Sequence, residues 1–332
     1  MDKKTRESLK ILIVNDIEGI SGIDNVRQIH YGSKEFEEGR IQVTEDFNAA
    51  VRGLRAAGAT EIRVADSHGS GGPNKNIIPE KLERDVKLFQ EGPVYKRLKE
   101  GADKSIDAAV FIGFHAMADT KDGFLRHTIT LEPRIRINGK PVGETAIDAY
   151  SLAEYGIPVI MVTGDQALIR EASEFLPGIE TVQVKTSLDC KTTNCLPLSE
   201  ARRLIEATAE RALSRIDEFR PVRIVKPIAT DVSFPRVEQT DLCETIPRAK
   251  RNGEKTISYI AEDWHEAYNF VRTTIRLAGQ YAIGALEEKL SKLEGFDKAV
   301  QEWEEDLISG WLSQNNINRC VRVHTRKHAR QK

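Results

Sequence analysis

The sequence predicts an α/β protein with a mainly parallel sheet covered by helices, a smaller α+β second domain and a helical C-terminal extension. Short runs rich in Val and Ile alternate with amphipathic stretches through the first half of the chain. These runs are apolar throughout, which is typical of strands buried on both faces of a parallel sheet. After about residue 190 the chain carries longer helical stretches and one strand-like stretch broken by prolines. We therefore expect domains at 1–190 and 191–285, then a helical extension with a basic tail at 286–332.

The individual elements follow from local patterns. Buried strands are expected where the run is short and apolar, and helices where apolar residues recur every three or four positions and a Gly ends the segment. An Asn-Gly pair between two strand-like runs predicts a hairpin around Asn138 and Gly139. The predicted strands are at 10–15, 61–67, 107–116, 127–131, 157–165, 181–187 and 219–236, and the predicted helices are at 36–59, 144–156, 196–216 and 262–295.

Composition excludes several classes of function. Lys and Arg total 49 and Asp and Glu total 51, giving a net charge of −2. A nearly neutral chain has no electrostatic basis for nucleic acid as its main partner. No signal peptide is recognisable, and no apolar stretch approaches the ~20 residues of a membrane helix. The four cysteines form no C-x-x-C pair, so we expect reduced thiols and a cytoplasmic location, without membrane association.

Polar residues that can bind metals occur where predicted strands end. Asp16 and Glu18 follow the first strand, His68 follows the second and His115 follows the third. Parallel strands bring their carboxyl ends to one edge of the sheet, so we expect these side chains to converge. In an extended segment, residues two apart point to the same face, so Asp16 and Glu18 can reach one cation.

Two more candidates lie further along, His127 before a strand-like run and Glu144 at the start of a helix. Each candidate alone is explained by a turn, a cap or a core histidine, but these unrelated loops share one ligand chemistry. Imidazole and carboxylate ligands together suit Zn²⁺, Mn²⁺, Co²⁺ or Ni²⁺. Three acids and two histidines exceed the ligands of one tetrahedral zinc and suit two metals that share a carboxylate.

Several other catalytic motifs do not fit this sequence. The stretch "HGSGGP" lacks the Gly-Lys-Ser/Thr of a phosphate-binding loop, and "WHEAYN" has Asn269 where a second zinc-binding His would be needed. No G-x-G-x-x-G follows a strand, so a dinucleotide site has little support.

The motif series resembles the D-aminopeptidase family, the zinc peptidases typified by the enzyme of bacterial dipeptide-transport operons. The resemblance rests on "DIEGISG", "DSHGSG", "GFHAMA", "FLRHT" and "INGKPVGETAIDAY", in this order and spacing, and it covers about residues 10 to 280. It implies a zinc-dependent aminopeptidase, which is a hydrolase and a metalloprotease. The resemblance implies that a metal-bound hydroxide would release the N-terminal residue of short peptides or amino-acid amides. Whether that residue has L or D configuration is left open.

The resemblance also implies roles for individual residues. Two Zn²⁺ would bind per chain, with Mn²⁺ or Co²⁺ as alternatives, and Asp16 would bridge both. Glu18 and His68 would complete one site, His115 and Glu144 the other, and His127 would be the catalytic residue. Asp66 and Asn15 are candidates for orienting the ligands. The family forms ring-shaped homo-oligomers, often decamers, and about the last 50 residues of this chain depart from its pattern.

Two other classes of function stay open at this point. One is a binuclear metal amidase or phosphoesterase built from similar ligands. The other is a metal-stabilised module that binds peptides without cleaving them. Paired amino-acyl and phosphoester substrates would separate the enzymes, and a catalytic role for His127 would exclude the binding module.

Overall fold

The computed structural model describes residues 8–69 and 75–312, with no side-chain description for residues 310–312. The chain forms two compact units, one ending at Ile275 and one beginning at Arg276. Residues 313–332, which include the basic tail and Cys320, and most of the turn-rich stretch at 68–74 lie outside the described residues. The predicted boundaries near 190 and 285 stay predictions.

Twelve strands and nine α-helices occur in the described part of the chain. The strands are β1 (Lys10–Asn15), β2 (Glu61–Asp66), β3 (Val86–Phe89), β4 (Ala108–Ile112), β5 (Arg134–Ile137), β6 (Lys140–Val142), β7 (Val159–Asp165), β8 (Glu180–Ser187), β9 (Thr193–Cys195), β10 (Ile228–Ser233), β11 (Lys250–Arg251) and β12 (Thr256–Ala261). The helices are α1 (Glu35–Ala56), α2 (Val94–Gly101), α3 (Glu144–Ala153), α4 (Gln166–Phe175), α5 (Leu198–Ser214), α6 (Val237–Cys243), α7 (Trp264–Ala278), α8 (Gln280–Leu290) and α9 (Phe296–Leu312).

The first sheet has the strand order β3-β2-β1-β4-β7-β8-β9 and is parallel except at β9. From β1 the chain passes to β2 and β3 on one side, and it later returns to place β4 on the other side. The gap between the carboxyl ends of β1 and β4 is therefore a topological switch point. In open α/β sheets this is where ligands bind.

Both faces of this sheet are covered. Along β1, Ile11 and Ile13 pack into one apolar core, and Leu12 and Val14 pack into the other. Each such side chain contributes about 1.5–3 kcal/mol on full burial. Helices α1 and α5 cover the first face, and α2, α3 and α4 contribute to the core on the second. The uniformly apolar pattern of the strand is the consequence of this double burial, as predicted.

A second, antiparallel sheet has the order β11-β12-β10-β5-β6. The predicted hairpin is present, with positive φ at both Asn138 and Gly139, as a tight two-residue turn requires. The predicted strand at 127–131 is wrong, because a single bridge joins Thr128 to Thr130 there. Ile129 between them has φ 66°, which is incompatible with an extended strand.

The α/β class with a mainly parallel sheet, a second sheet and C-terminal helices is confirmed. Helix α5 packs on α1 in the first core, so residues beyond 190 help to cover the first sheet. The second unit contains α8 and α9, as the predicted helical extension requires. Across the residues that the structure describes, no helix is both long and apolar enough to cross a membrane.

Candidate metal centre

The segment after β1 is a tight turn rather than a continued strand. The Ile17 N–H donates to Asp16 Oδ1 at 3.0 Å, and the Gly19 N–H donates to the Gly113 carbonyl at 2.8 Å. A Cβ on Gly19 would lie 1.9 Å from the Phe114 carbonyl oxygen, so only glycine permits this approach of the two strand ends. The turn keeps the carboxylates of Asp16 and Glu18 in one cluster.

His115, three residues after β4, lies between two carboxylates. Its Nε2 is 3.1 Å from Asp16 Oδ2 and 3.1 Å from Glu144 Oε1. Neither contact is a well-formed hydrogen bond, so this buried nitrogen has no hydrogen-bond partner among the described residues. Converging nitrogen and oxygen atoms around a buried, unpartnered imidazole form a ligand set that fits Zn²⁺ or a similar ion.

A second group adjoins the first. His68 Nε2 lies 3.5 Å from Glu18 Oε1, and the potential ligand atoms of Asp16, Glu18 and His68 all lie within 4.8 Å of one another. The same limit holds for Asp16, His115 and Glu144. Asp16 is the residue common to these two groups.

His127 lies against both groups. Its ring stacks on that of His115 with centroids 4.0 Å apart. Its Nε2 is 3.6 Å from Glu144 Oε1 and 3.9 Å from Glu18 Oε1. The loop that carries it is held by Glu144, whose Oε1 accepts a hydrogen bond from the Ile129 N–H at 2.7 Å.

All three imidazoles are held through Nδ1. The Nδ1 of His115 is 2.9 Å from the Ala116 carbonyl, and that of His127 is 2.8 Å from the Leu125 carbonyl. A carbonyl oxygen only accepts, so each Nδ1 donates, and the neutral ring has its lone pair on Nε2, facing the cluster. The Nδ1 of His68 faces Asn76 Oδ1 at 3.4 Å.

Burial and mutual repulsion set the charges of the cluster. Burial, with Glu18 beside it, raises the pKa of Asp16 to about 7. Burial opposes ionisation of Glu18 too, but His68 and the other imidazoles outweigh it and hold the pKa of Glu18 well below its ordinary value. Against the effect of burial, Glu144 and Asp16 raise the pKa of His115. Metal binding requires its neutral form, so protons and metal compete here.

His127 has the opposite shift. Burial and the neighbouring His115 lower its pKa below the ordinary value of 6.5. A neutral imidazole with a free Nε2 can accept a proton from a reacting group at neutral pH. His127 is therefore the one imidazole of the three whose pKa is lowered, since the pKa values of His68 and His115 are raised by the neighbouring carboxylates.

Both predicted orienting residues make relevant contacts. Asp66 accepts hydrogen bonds from the Asn76 N–H at 3.0 Å and from Asn76 Nδ2 at 2.7 Å, and Asn76 faces His68. Asn15 Oδ1 accepts from the Ser67 N–H at 2.9 Å, which fixes the start of the His68 loop.

All six predicted site residues therefore meet in one cluster, and three further polar residues that were not predicted from the sequence lie around it. Asn76 lies in a turn-rich stretch with no motif. Lys185 is buried and donates to the Glu18 carbonyl at 2.7 Å. Asp148 lies one turn after Glu144 on α3 and has no hydrogen bond or ion pair within the described ranges. The spacing of four residues from Glu144 was a usable signal for Asp148.

The fold and this cluster define a class: an α/β protein with a candidate metal centre at the switch point of its parallel sheet. Comparison with known proteins narrows the class. The D-aminopeptidase family model matches residues 9–273. A D-aminopeptidase of Bacillus subtilis (strain 168) is 30% identical over 272 residues, covering 81% of this chain and 98% of that protein.

A solved structure gives the same result. The Zn-dependent D-aminopeptidase DppA from Bacillus subtilis, described as a self-compartmentalizing protease, matches with a TM-score of 0.77 and 29% identity. The match covers 81% of this chain and 98% of that one. The chain belongs to the D-aminopeptidase family. It is therefore an aminopeptidase, a hydrolase of peptide bonds, and the predicted family and enzyme class are confirmed; neither a phosphoesterase nor a non-catalytic module is favoured.

Proposed function

We propose that this chain is a metal-dependent aminopeptidase that uses two Zn²⁺ ions to release the N-terminal residue of short peptides or amino-acid amides, D-residues included. One observation carries the proposal: Asp16 belongs to two adjoining groups of potential ligands, one with Glu18 and His68 and one with His115 and Glu144. A shared carboxylate between two ligand groups is the arrangement that two neighbouring metals need. The zinc dependence of the B. subtilis relative supports the choice of metal.

The residues fit this role chemically. His115 Nε2 is buried and faces two carboxylate oxygens without a hydrogen bond. Bound zinc would supply a Lewis acid and lower the pKa of a water molecule. Asp16 and Glu18 are nearly inaccessible, at 5% and 2% exposure, so an ion held there would be shielded from bulk water.

His127 is proposed as the catalytic residue. Its Nδ1 is fixed on the Leu125 carbonyl, so Nε2 keeps a constant direction toward Glu18 and Glu144. From there it would accept a proton from the attacking water molecule and pass it to the leaving amine. His127 also fits a ligand group with Glu18 and His115. The metal content of a His127 variant therefore distinguishes a role in proton transfer from a role as a metal ligand.

The proposal is tested by removing and restoring the metal. Protein stripped with a chelator should lose turnover of amino-acyl substrates, and Zn²⁺ should restore it at about two ions per chain. Paired L- and D-amino-acyl substrates, assayed with Zn²⁺, Mn²⁺ and Co²⁺ in turn, give the stereochemical preference. Full activity in metal-free protein would disprove metal dependence.

We also propose that the chain forms a homo-oligomer, in a ring such as a decamer. The support is the description of the B. subtilis relative as self-compartmentalizing. Light scattering on the full chain measures the assembly. The cytoplasmic location stays a prediction.

A further inference from the structure

The guanidinium of Arg272 on α7 has an unused set of hydrogen-bond donors. Its central carbon lies 3.4 Å from the ring centroid of Tyr95 and 5.7 Å from that of Tyr268. Within residues 8–69 and 75–312 it makes no hydrogen bond and no ion pair. Stacking occupies the face of the guanidinium, and the N–H groups at its edge remain available to a planar anion such as a carboxylate.

Another arginine shows what such a stack looks like when it has a carboxylate. Arg248 lies over the ring of Tyr259 at 5.0 Å, and its Nη1 donates to Glu266 at 2.6 Å. Arg272 has the tyrosines but no acid among the described residues. The difference indicates that its N–H groups can bind a carboxylate, which no residue of 8–69 or 75–312 supplies.

Arg272 is connected to the candidate metal centre on two sides. On one side, Gly69 follows His68, and a Cβ on Gly69 would meet Val94 at 4.0 Å, next to Tyr95. The residue before Tyr95 therefore lies close to the residue after His68, and Tyr95 stacks on Arg272.

The other connection runs through α3. Trp264 Nε1 donates to Ser151 Oγ at 2.9 Å, which joins α7 to α3. One turn along α7, burial raises the pKa of Tyr268, and the carboxylates of Asp148 and Glu144 raise it further. The phenol is thus within electrostatic range of Glu144, and Arg272 follows one turn later on the same helix.

The sign of the charges changes between the metal centre and Arg272. Carboxylates predominate at the metal centre, whereas Arg272 and Lys99, whose Nζ lies 5.7 Å from the Tyr268 centroid, supply positive charge at the far end. A short peptide has a charged amine at one end and a carboxylate at the other. Peptides of two to four residues span about 7–14 Å when extended. A peptide of this length could place its amine at the metal centre and its carboxylate at a cation one or two side chains away.

We propose that Arg272 binds the C-terminal carboxylate of a short peptide whose N-terminal residue lies at the metal centre. This inference rests on the proposed function and narrows its substrate class to peptides of a few residues with a free C-terminus. Amino-acid amides and C-terminally blocked peptides would lack this contact.

The test compares alanine peptides of two, three and four residues with their C-terminal amides, in the configuration that the wild-type enzyme hydrolyses. Wild type should prefer the free acid of at least one length. Arg272→Gln should lower kcat/KM for that acid about 10–100-fold, the range expected for a lost charged hydrogen bond. The loss should appear in KM, since the contact is remote from the reacting bond, and the amide should be unaffected.

Arg248→Gln is the matched control, because it removes an arginine from a similar tyrosine stack. It should leave kcat/KM unchanged for both the acid and the amide. Arg272→Lys should restore part of the acid preference. Equal losses on acid and amide, or no acid preference in wild type, would overturn the inference while leaving the aminopeptidase assignment intact. A wild-type enzyme that hydrolyses neither substrate in the presence of zinc would instead overturn the proposed function.

Discussion

The candidate metal centre and the C-terminal helices depart from ordinary burial in opposite directions. At the centre, charged side chains are buried: Glu18 is 2% exposed and His115 is 2% exposed. In the second unit, apolar side chains are exposed: Leu293 is 60% exposed and Trp303 is 58% exposed. The first region lies inside the family match, and the second lies beyond its last residue, 273.

The two departures differ in cost. An isolated buried charge is expensive unless it is paired or coordinates a metal, so a cluster of them indicates a ligand. An exposed apolar side chain forgoes its burial free energy but creates no unsatisfied group. The centre therefore implies a specific occupant, whereas the helices by themselves indicate none.

The largest expected effect follows from removing the shared carboxylate. Asp16→Ala should lose both metals and reduce turnover to background, because both proposed metal sites share this carboxylate. Glu18→Ala should lose one metal. Metal analysis measures the number of bound ions, and kcat/KM measures the loss of turnover. Asp24 is an exposed acid in the same segment, so Asp24→Ala is the control and should behave as wild type. Two metals retained in Asp16→Ala would refute the bridging role.

Removing the imidazole of His127 should separate catalysis from metal binding. His127→Ala should keep both metals while kcat falls about 10²–10⁴-fold, the usual contribution of a positioned acid or base. Steady-state kinetics and metal content are measured on the same sample. A metal count that falls with turnover would instead make His127 a ligand.

A buried acid beside the centre should make stability depend on pH. Burial raises the pKa of Glu171 from 4.5 to about 7. Between these values the folded state binds more protons than the unfolded state, so the stabilisation present below pH 4.5 is lost as pH rises through 7. The side chain introduced by Glu171→Gln does not titrate. Between pH 4.5 and 7 the free energy of unfolding of this variant should therefore rise, relative to that of wild type, by at most about 3 kcal/mol.

Urea unfolding at pH 5 and pH 7.5 measures that difference. Glu174→Gln, an exposed acid on the same helix, is the control and should follow wild type. If Glu171→Gln keeps the pH slope of wild type, burial does not shift this carboxyl.

The smallest effect is expected from the C-terminal helices. A chain ending at Gly279 keeps every candidate ligand and the whole family match. Its kcat/KM and metal content should stay within about 2-fold of the full chain, the range of changes that leave the site untouched. A tenfold loss would show that the extension contributes to the active protein and would remove the contrast between the two regions.

Much of the site could be predicted because its residues fall at strand ends. Apolar periodicity located β1, β2 and β4, and parallel pairing brought Asp16, His68 and His115 to one edge. Asp16 and Glu18 lie in one cluster, but not because they share a face of an extended strand, since the segment turns after Asn15. The strand predicted at 127–131 was wrong because Ile129 adopts a positive φ that no propensity signals.

The sequence by itself determined the main strands of the parallel sheet, the candidate ligands and, through the motif series, the family. Those follow from local periodicity and from residue type at fixed positions. Tertiary structure alone decided that Asn76 faces His68, that His127 stacks on His115 and that Arg272 lies over Tyr95 with no acid beside it in the described part of the chain. These contacts depend on how helices and loops pack around the sheet, which no local pattern encodes.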